Sequence, residues 1–378
     1  MPHPVKLPDK RTMAYELLQL IAILGELPSH QLSRLPGGDR YKERLITDLK
    51  KQKLIRTYYR DEMRGHRLTA KAKALLLDDN PSRFSSCLAK YADTNHVQSE
   101  PLRRERLWRI AEATVTMKNA DISVFPDEHP RAFLRDWDGT DEIEISSFYP
   151  SREVTAYGNE FVRAKGARFI GVLLTDTRAY IAYNLGDSLM KWAYKSEMRT
   201  KAQVSDILCR ERFPDQYTPD DVRGMIFANT MELAYEILSN SGNKQYFILD
   251  GSYENFHYVT NDQRGELLLR FLCNAELREE LDELVIGHLD PPNNRLLFEH
   301  DALLEDGTPV LLAYDCDLRR ISKFTSMLSL QERHGVLMCF DYQADTLGRF
   351  CGERVTLKTI DYEKVKRRFF ENKKEETD

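Results

Sequence analysis

The sequence contains no long hydrophobic run, and this absence argues against a membrane-spanning helix. Its longest apolar stretch, Leu17 to Leu24, is interrupted by Gln19 and falls short of the roughly 18 apolar residues that a span requires. The N-terminus also lacks the layout of a secretory signal peptide. We therefore expect a cytoplasmic protein without a membrane partner.

Cysteine is scarce and never occurs in a CxxC pair. The six cysteines are scattered over the chain, and the nine histidines show no paired-ligand spacing. This spacing argues against a zinc site and against a disulfide framework. We expect the cysteines to be small core residues, and we predict no cofactor.

The familiar catalytic motifs are also missing. The chain has no GxxxxGK[ST], GxGxxG, HExxH or GxSxG segment, and it shows no internal repeat or low-complexity tract. The sequence therefore indicates no nucleotide-binding or hydrolase class, and an enzyme is the less favoured expectation.

What the sequence does have is an uneven distribution of charge. Residues 1–112 carry 22 Lys and Arg against 14 Asp and Glu, a surplus of eight. The net charge is −5, so the remaining 266 residues must carry −13. A basic N-terminal third on an acidic body favours a single module that binds a polyanion.

The hydrophobic pattern of residues 1–80 predicts three helices, a two-stranded hairpin and a closing helix. Asp39 is expected to cap the third helix, with Tyr41, Leu45, Ile46 and Leu49 facing inward. A glycine turn is expected within Met63–His66. This order of elements is that of a winged helix-turn-helix. The predicted ranges are Thr12–Leu24, Ser29–Leu35, a helix from Asp39, strands Leu54–Tyr59 and Arg67–Leu68, and Thr69–Leu76.

The polar face of the third helix predicts the function of this segment. Arg40, Arg44, Thr47 and Lys51 are spaced by four, three and four residues, so they form one solvent-facing stripe. Arginine grips guanine in the major groove, and lysine suits phosphates. We therefore predict a double-stranded DNA partner. The residues expected to bind DNA are Arg40, Lys42, Arg44, Thr47, Lys50, Lys51, Lys53, Arg56, Arg60, Arg64, His66 and Arg67.

Two other interpretations remain open for this basic surface. A helix rich in lysine and arginine is often only a solvated face. The hairpin would alternatively grip another protein, which gives a protein-interaction module without DNA affinity.

One phrase in this segment carries a resemblance to a known group. The run Arg64-Gly-His-Arg-Leu-Thr-Ala-Lys-Ala-Lys-Ala-Leu-Leu76 is similar to the wing and last helix of MarR- and PadR-like regulators, where a strand ends in Leu-Thr before a Leu-Leu helix. The resemblance implies a DNA-binding winged helix, and it permits a homodimer.

Residues 81–118 are predicted to form a polar linker followed by a basic helix over Pro101–Lys118. The arginines of this helix would contact phosphates or pair with the acidic body, and the sequence favours neither. They are Arg103, Arg104, Arg106 and Arg109.

Residues 119–378 alternate strands with helices and predict a mixed α/β domain. The strands expected are Ile122–Phe125, Glu142–Phe148, Phe169–Leu174, Ala179–Tyr183, Tyr246–Leu249, Arg295–Glu299, Val310–Tyr314 and Val336–Phe340. The helices expected are Ala202–Arg212, Pro219–Ser239, Arg264–Leu284 and Asp361–Asn372.

Three predicted strands end in a carboxylate, which is the one hint of an active site. Asp250, Asp315 and Asp341 follow the carboxyl ends of predicted strands, where ligand sites of α/β folds lie. Together they would hold Mg²⁺ for phosphodiester cleavage. Aspartate after a strand is more often a turn former or helix cap. The Asp/Glu-x-Lys signature of restriction-type nucleases is also missing, because Ser146 follows Glu142-Ile-Glu144 at the lysine position. A body related to those nucleases would therefore be degenerate.

The whole chain resembles a group of proteins carried by conjugative and integrative elements of Firmicutes. The resemblance is carried by Met117–Phe125, by Ser151-Arg-Glu-Val154 and by Lys191-Trp-Ala-Tyr-Lys-Ser-Glu197. The layout is also similar to replication-relaxation proteins of plasmids, which join a winged helix to a nuclease-like body. The whole-chain resemblance implies a role in replication, conjugative transfer or transcription regulation of a mobile element. It also implies that element's replication or transfer proteins as further partners.

Overall fold

The chain divides into two units, Met1–Gly158 and Asn159–Asp378. The structure, a computed structural model, describes residues 6–89, 101–134, 142–156, 168–240, 246–249, 251–293, 296 and 298–371. Segments 1–80 and 81–118 both lie in the first unit.

The first unit begins with an apolar helix whose two ends follow from single residues. Thr12 caps α1, because its side chain accepts a hydrogen bond from the amide of Tyr15. Gly25 ends the helix at a φ of 80°, and its amide donates to the carbonyl of Ile21. The unit's helices are α1 (Met13–Leu24), a 3-10 helix (Ser29–Arg34), α2 (Asp39–Lys51), α3 (Ala70–Asp79), α4 (Pro81–Leu88), α5 (Pro101–Asn119) and α6 (Ser151–Ala156).

Helix α2 begins one residue earlier than a cap at Asp39 would require. Gly38 is the cap residue and makes no side-chain bond, and Asp39 lies in the first turn. A helix also occupies residues 81–88, within the segment predicted as a linker. Asn80 caps that helix by accepting from the amide of Arg83 at 3.1 Å.

A three-stranded sheet lies among these helices in the order β1-β3-β2. Strands β2 and β3 form an antiparallel hairpin in which Arg60 pairs with Met63. Asp61 and Glu62 turn the chain, and both have positive φ, as a two-residue hairpin turn of the I′ type requires. The strands of this unit are β1 (Leu27–Pro28), β2 (Ile55–Arg60), β3 (Met63–Leu68) and β4 (Ser147–Pro150).

The predicted turn at Met63–His66 is therefore wrong. Gly65 lies inside β3, opposite Tyr58, and its hydrogen faces the side chain of Glu26. A Cβ at position 65 would overlap the carboxylate and side-chain carbons of Glu26. The glycine marks a close approach of backbone to a side chain.

The second unit contains two sets of strands with the same order and the same pattern of strand directions. Four strands run in the order β5-β6-β7-β8, and four more in the order β9-β10-β11-β12. In each set the first pair is antiparallel and the later pairs are parallel. The strands are β5 (Gly171–Leu174), β6 (Ala179–Asn184), β7 (Val222–Ala228), β8 (Phe256–Thr260), β9 (Ala302–Leu303), β10 (Pro309–Leu312), β11 (Gly335–Phe340) and β12 (Val355–Ile360).

Helices connect the parallel strands in both sets, so the backbone repeats a motif that the sequence does not reveal. Helix α7 and then α8 lie between successive strands of the first set, and α11 and α12 do so in the second. Further helices follow the last strand of each set. The helices are α7 (Tyr194–Asp206, continued by a π-helix over Ile207–Arg212), α8 (Glu232–Ser239), α9 (Gln263–Leu272), α10 (Ala275–Ile286), α11 (Leu318–Leu330), α12 (Asp341–Cys351) and α13 (Tyr362–Lys366, continued by a π-helix over Arg367–Glu371).

The prediction of one helix over Pro219–Ser239 is wrong. Residues 222–228 form β7, which is almost wholly buried between β6 and β8. Only a short 3-10 helix over Pro219–Asp221 and α8 at the end of the range are helical. Tyr246–Leu249 makes an isolated bridge and no strand, and β8 was missed. Burial on both faces gives a parallel strand a continuous apolar sequence, which resembles that of a buried helix.

The general fold class is confirmed, because both units combine helices with β-sheet and the sheets of the second unit are mixed. Among the described residues, no helix has the length and apolar character needed to cross a membrane.

Candidate nucleic-acid interface

Helix α2 presents a basic stripe to solvent. Ile46 and Leu49 are buried on its inner side. Arg40, Arg44, Thr47, Lys50 and Lys51 are all exposed, as the spacing predicted.

Of the two cations in this stripe that pair with Asp48, Arg44 is the more exposed. Its side chain is 84% exposed, and its Nε lies 3.8 Å from a carboxylate oxygen of Asp48. An exposed pair at this distance is weak. The guanidinium can therefore leave Asp48 for another acceptor.

The hairpin adds cations on both of its faces. Side chains alternate along a strand, and Tyr59 lies opposite Arg64 in the register. Both are exposed, and Tyr59 is 68% exposed. Arg56 and Arg60 are also exposed but project from the other face. The name "basic surface" is used below for the exposed side chains Arg40, Arg44, Thr47, Lys50, Lys51, Lys53, Tyr59 and Arg64.

His66 lies buried between α2 and the hairpin. Its Nε2 lies 3.2 Å from the hydroxyl of Ser29, and its Nδ1 lies 3.3 Å from the hydroxyl of Thr57. Burial, followed by the positive charges of Arg64 and Lys50, lowers the pKa of His66 to about 4. The charge effects place both Arg64 and Lys50 in the neighbourhood of His66.

Lys42, His66 and Arg67 do not belong to an exposed surface, contrary to prediction. All three are buried. The Nζ of Lys42 donates to the carbonyls of Ser33 and Leu35, each at 3.2 Å, and so fixes the start of α2 to the 3-10 helix. Tyr41, predicted to face inward, is half exposed.

Arg67 instead joins a buried ion cluster on the face of the hairpin that carries Arg56. Glu26 accepts from Arg67 Nε at 2.6 Å, from Arg104 Nη2 at 2.6 Å and from Trp108 Nε1 at 3.0 Å. Both guanidinium groups stack on Tyr58, at 4.2 and 4.7 Å from its ring centre. We call these five residues, Glu26, Tyr58, Arg67, Arg104 and Trp108, the Glu26 cluster.

The Glu26 cluster ties the hairpin to α5. Arg104, which is fully buried, also donates to the carbonyl of Arg60 at 2.9 Å and to that of Met63 at 3.0 Å, on either side of the turn. Burial alone would raise the pKa of Glu26, but Arg104, Arg67 and Trp108 together hold it below its usual value. The carboxylate therefore stays charged and orients both arginines.

The other arginines of α5 differ from Arg104. Arg103 and Arg106 are exposed and Arg109 is half-buried. Arg104 pairs within the first unit, so for this residue the phosphate contact predicted as one alternative is wrong.

The structure describes two of the three candidate catalytic aspartates. Asp250 lies outside the described residues. Asp341 is an exposed first-turn residue of α12, and Asp315 is mostly buried beside His257, with 3.8 Å between its carboxylate and the ring Nδ1. Within the described ranges, no group of three or more His, Cys, Asp or Glu side chains is placed to hold a metal ion.

Glu142 and Glu144 also differ from the nuclease pattern, because neither lies in a strand. Within the Lys191–Glu197 segment, Trp192 packs on Tyr183 and Phe247 at ring distances of 4.8 and 4.7 Å. Tyr194 is half exposed, and Lys191 and Lys195 are exposed, so only Trp192 of the two aromatics packs against the core.

Sequence reasoning missed two groups. Tyr59 was passed over as a strand residue, although aromatic residues at a hairpin tip have no core to fill. Arg223 is the one charged residue in the apolar run Val222–Ala228, and that isolation was a usable signal.

Comparison with protein-family models, with curated proteins and with solved structures gives no match for this chain.

Proposed function

We propose that the first unit contains a winged helix-turn-helix that binds double-stranded DNA, with α2 in the major groove and the β2–β3 hairpin as the wing. The order of elements supports this assignment: α1, the 3-10 helix and α2 are followed by the hairpin and α3, and β1 completes the sheet. A recognition helix and a hairpin wing in this order form the usual frame for groove binding.

The observation that carries the proposal is the basic surface. Arg40 and Arg44 lie in the first two turns of α2, where a recognition helix meets base edges. Lys50 and Lys51 lie in its last turn, and Arg64 of the hairpin, like Lys50, lies near His66. The length of α2, 13 residues at about 1.5 Å per residue, suits a helix that enters one groove while its far end contacts phosphates.

The acidic residues nearby do not cancel this surface. Asp39 and Glu43 are exposed at the start of α2, and Asp61 and Glu62 form the hairpin turn. None of these four carboxylates forms an ion pair with Arg44, Lys50 or Lys51. The nearest carboxylate, Asp48, lies 3.8 Å from Arg44 and 4.0 Å from Lys51.

The biological setting rests on the whole-chain resemblance. We propose a sequence-specific DNA-binding protein of a mobile genetic element, acting in its replication, transfer or transcription. The second unit would then serve assembly, as a homodimer or with the element's other proteins. The nuclease alternative has no observation in its favour among the described residues.

Binding-site selection with the full chain and random duplexes tests the proposal. Sequencing of the retained duplexes is expected to yield one enriched motif, and two copies of it about 10 base pairs apart would indicate a dimer. Fluorescence anisotropy on the selected duplex then gives the affinity at several salt concentrations.

A matched control is available in the second unit. Arg210 is 79% exposed and pairs with Asp206 four residues away, as Arg44 pairs with Asp48. Arg210→Ala should leave DNA affinity unchanged, while removal of Arg44 and Lys51 together should abolish enrichment. No enrichment and no binding at low salt by the wild-type chain would contradict the proposal and favour a protein partner.

A further inference from the structure

The second unit contains a cavity of about 340 Å³ lined almost wholly by charged residues. It includes five cationic and five acidic side chains. Its size lies at the lower end of the range for small-molecule sites. The question is which of these charges already have partners within the protein.

The side of the cavity near α11 is internally matched. Arg320 donates to Glu299 and to Asp301, each at 2.7 Å. Lys323 donates to Glu254 at 2.7 Å. These cations are therefore committed to carboxylates that line the same cavity.

Two other arginines are not matched. Nη1 of Arg178 and Nε of Arg223 are buried and have no hydrogen-bond partner. Burial, followed by the positive charge of Arg178, lowers the pKa of Arg223. A buried guanidinium donor without an acceptor carries its full desolvation cost, so this arrangement is unfavourable unless something else supplies the acceptor.

The two arginines lie on one face of the first sheet together with further unpartnered groups. Tyr180 lies opposite Arg223 in the register, and side chains two residues apart share a face. The Nε2 of His257 is buried without a partner, and its ring lies 5.6 Å from that of Tyr180, whose buried hydroxyl lies beside Arg178. Buried polar atoms of Arg178, Arg223 and His257 therefore lie without a well-formed hydrogen bond in the same region.

The acidic residues facing this side carry less charge than their formulas imply. Burial raises the pKa of Asp282 to about 6, and its carboxylate accepts from the hydroxyl of Tyr314 at 2.5 Å. Burial also raises the pKa of Asp315. Asp315 and Asp317 still favour the charged form of Arg223, but neither accepts a hydrogen bond from its Nε.

We propose that this cavity binds a small phosphorylated molecule, whose phosphate lies between Arg178 and Arg223. Two guanidinium groups offer paired, directional N–H donors that match the oxygens of a phosphate. Asp282 and Tyr314, which also line the cavity, would accept hydrogen bonds from hydroxyl or amino groups of the remainder of the ligand. The volume suits a mononucleotide and is too small for a folded partner.

Isothermal titration calorimetry of the full chain tests the site with three probes: inorganic phosphate, deoxyadenosine monophosphate and deoxyadenosine. Phosphate and the monophosphate should bind, the monophosphate more tightly, and the nucleoside should not bind. Equal binding of nucleoside and monophosphate would overturn the phosphate assignment. Absence of heat with both phosphate probes at tens of millimolar would overturn the site.

Substitutions locate any binding within the molecule. Arg178→Gln and Arg223→Gln should each weaken the monophosphate about tenfold or more, because each removes charge-assisted hydrogen bonds. Arg210→Gln, an exposed arginine of the same unit, should leave affinity unchanged, and so should Lys51→Ala on the basic surface. Binding that survives in both cavity variants would place the phosphate elsewhere and overturn the proposal.

Thermal stability without ligand gives a second readout. Arg223→Gln is expected to raise the melting temperature, because it removes a partly buried charge whose Nε has no hydrogen-bond acceptor. A lower melting temperature would mean that Arg223 holds the fold together, and would count against a site that awaits an anion.

Discussion

The two faces of the β2–β3 hairpin carry arginines with opposite roles. Arg64 is exposed to solvent on one face and lies near His66, as Lys50 of α2 does. Arg67, three residues later on the other face, is buried against Glu26. The difference teaches that on this hairpin an arginine is either exposed and available to a binding partner or committed to the fold, and not both. Removing each kind should therefore change different measurements.

The largest effect is expected from Glu26→Gln, which acts on the buried face. The substitution leaves Arg67 and Arg104 buried without a counter-charge, and loss of one partner from a buried ion pair costs about 3–5 kcal/mol. Hydrogen exchange of the β2 and β3 amides should report this loss of local stability. Glu43→Gln, an exposed acid on α2, is the control and should change stability by less than about 0.5 kcal/mol. Protection factors in Glu26→Gln equal to those of the control would contradict a role for the cluster.

The next effect is a pH dependence centred on His66, which is buried on the same face as Arg64. Its pKa is about 4 in the folded protein against 6.5 when exposed, so the folded hairpin excludes a proton that the unfolded chain binds. The stability is fully present above pH 6.5 and is lost as the pH falls toward 4, by on the order of 3 kcal/mol. Hydrogen exchange of β3 across that range measures it.

His66→Gln should flatten this dependence of β3, whereas a variant of His30, whose side chain is about half exposed, should retain it. Protonation of Glu26 would destabilise the same hairpin only at lower pH, because its pKa is held below the usual value. A slope that persists unchanged in His66→Gln would mean that another group is responsible.

A smaller effect, on the exposed face, is expected for Arg44→Ala. We expect a loss of about 1–3 kcal/mol in affinity for the preferred duplex and a relaxed choice at one base position. Anisotropy with the selected site and with single-base variants measures both, with Arg210→Ala as control. Unchanged affinity and an unchanged base preference would mean that α2 does not bind in the major groove.

The smallest effect is expected for Lys51→Ala, at the phosphate end of α2. The variant should weaken all duplexes alike and reduce the slope of log affinity against log salt by about 0.9, the contribution of one phosphate contact. Salt titrations on the selected duplex and on an unrelated one test this. A loss confined to the selected duplex would instead assign Lys51 to base contact.

In the first unit, the sequence predicted helix ends and exposed faces correctly where local residues determine them. Thr12 and Gly25 delimit α1, and the four-three-four spacing predicted the exposed side of α2. The turn was misplaced because Gly65 resembles a turn residue, while its actual constraint is Glu26, 39 positions earlier. No local pattern reports a contact at that separation.

The burial of Lys42, His66 and Arg67 was also beyond local reasoning. Each is polar and lies in a basic stretch, and only tertiary partners distinguish it from Arg44 or Arg64. In the second unit, β7 was misjudged as helix because a strand buried on both faces loses its alternation. Arg178 and Arg223 are more than 40 residues apart in sequence, and only the parallel pairing of β6 with β7 brings them to one cavity.

The closeness of Gly65 to Glu26 has a consequence for how this protein can vary. A single methyl group at position 65 would push the carboxylate from its place and release two guanidinium groups at once. Natural variants should therefore keep glycine wherever they keep the acid, and relax both positions together. That covariation across relatives would record the geometry of the hairpin in sequence alone.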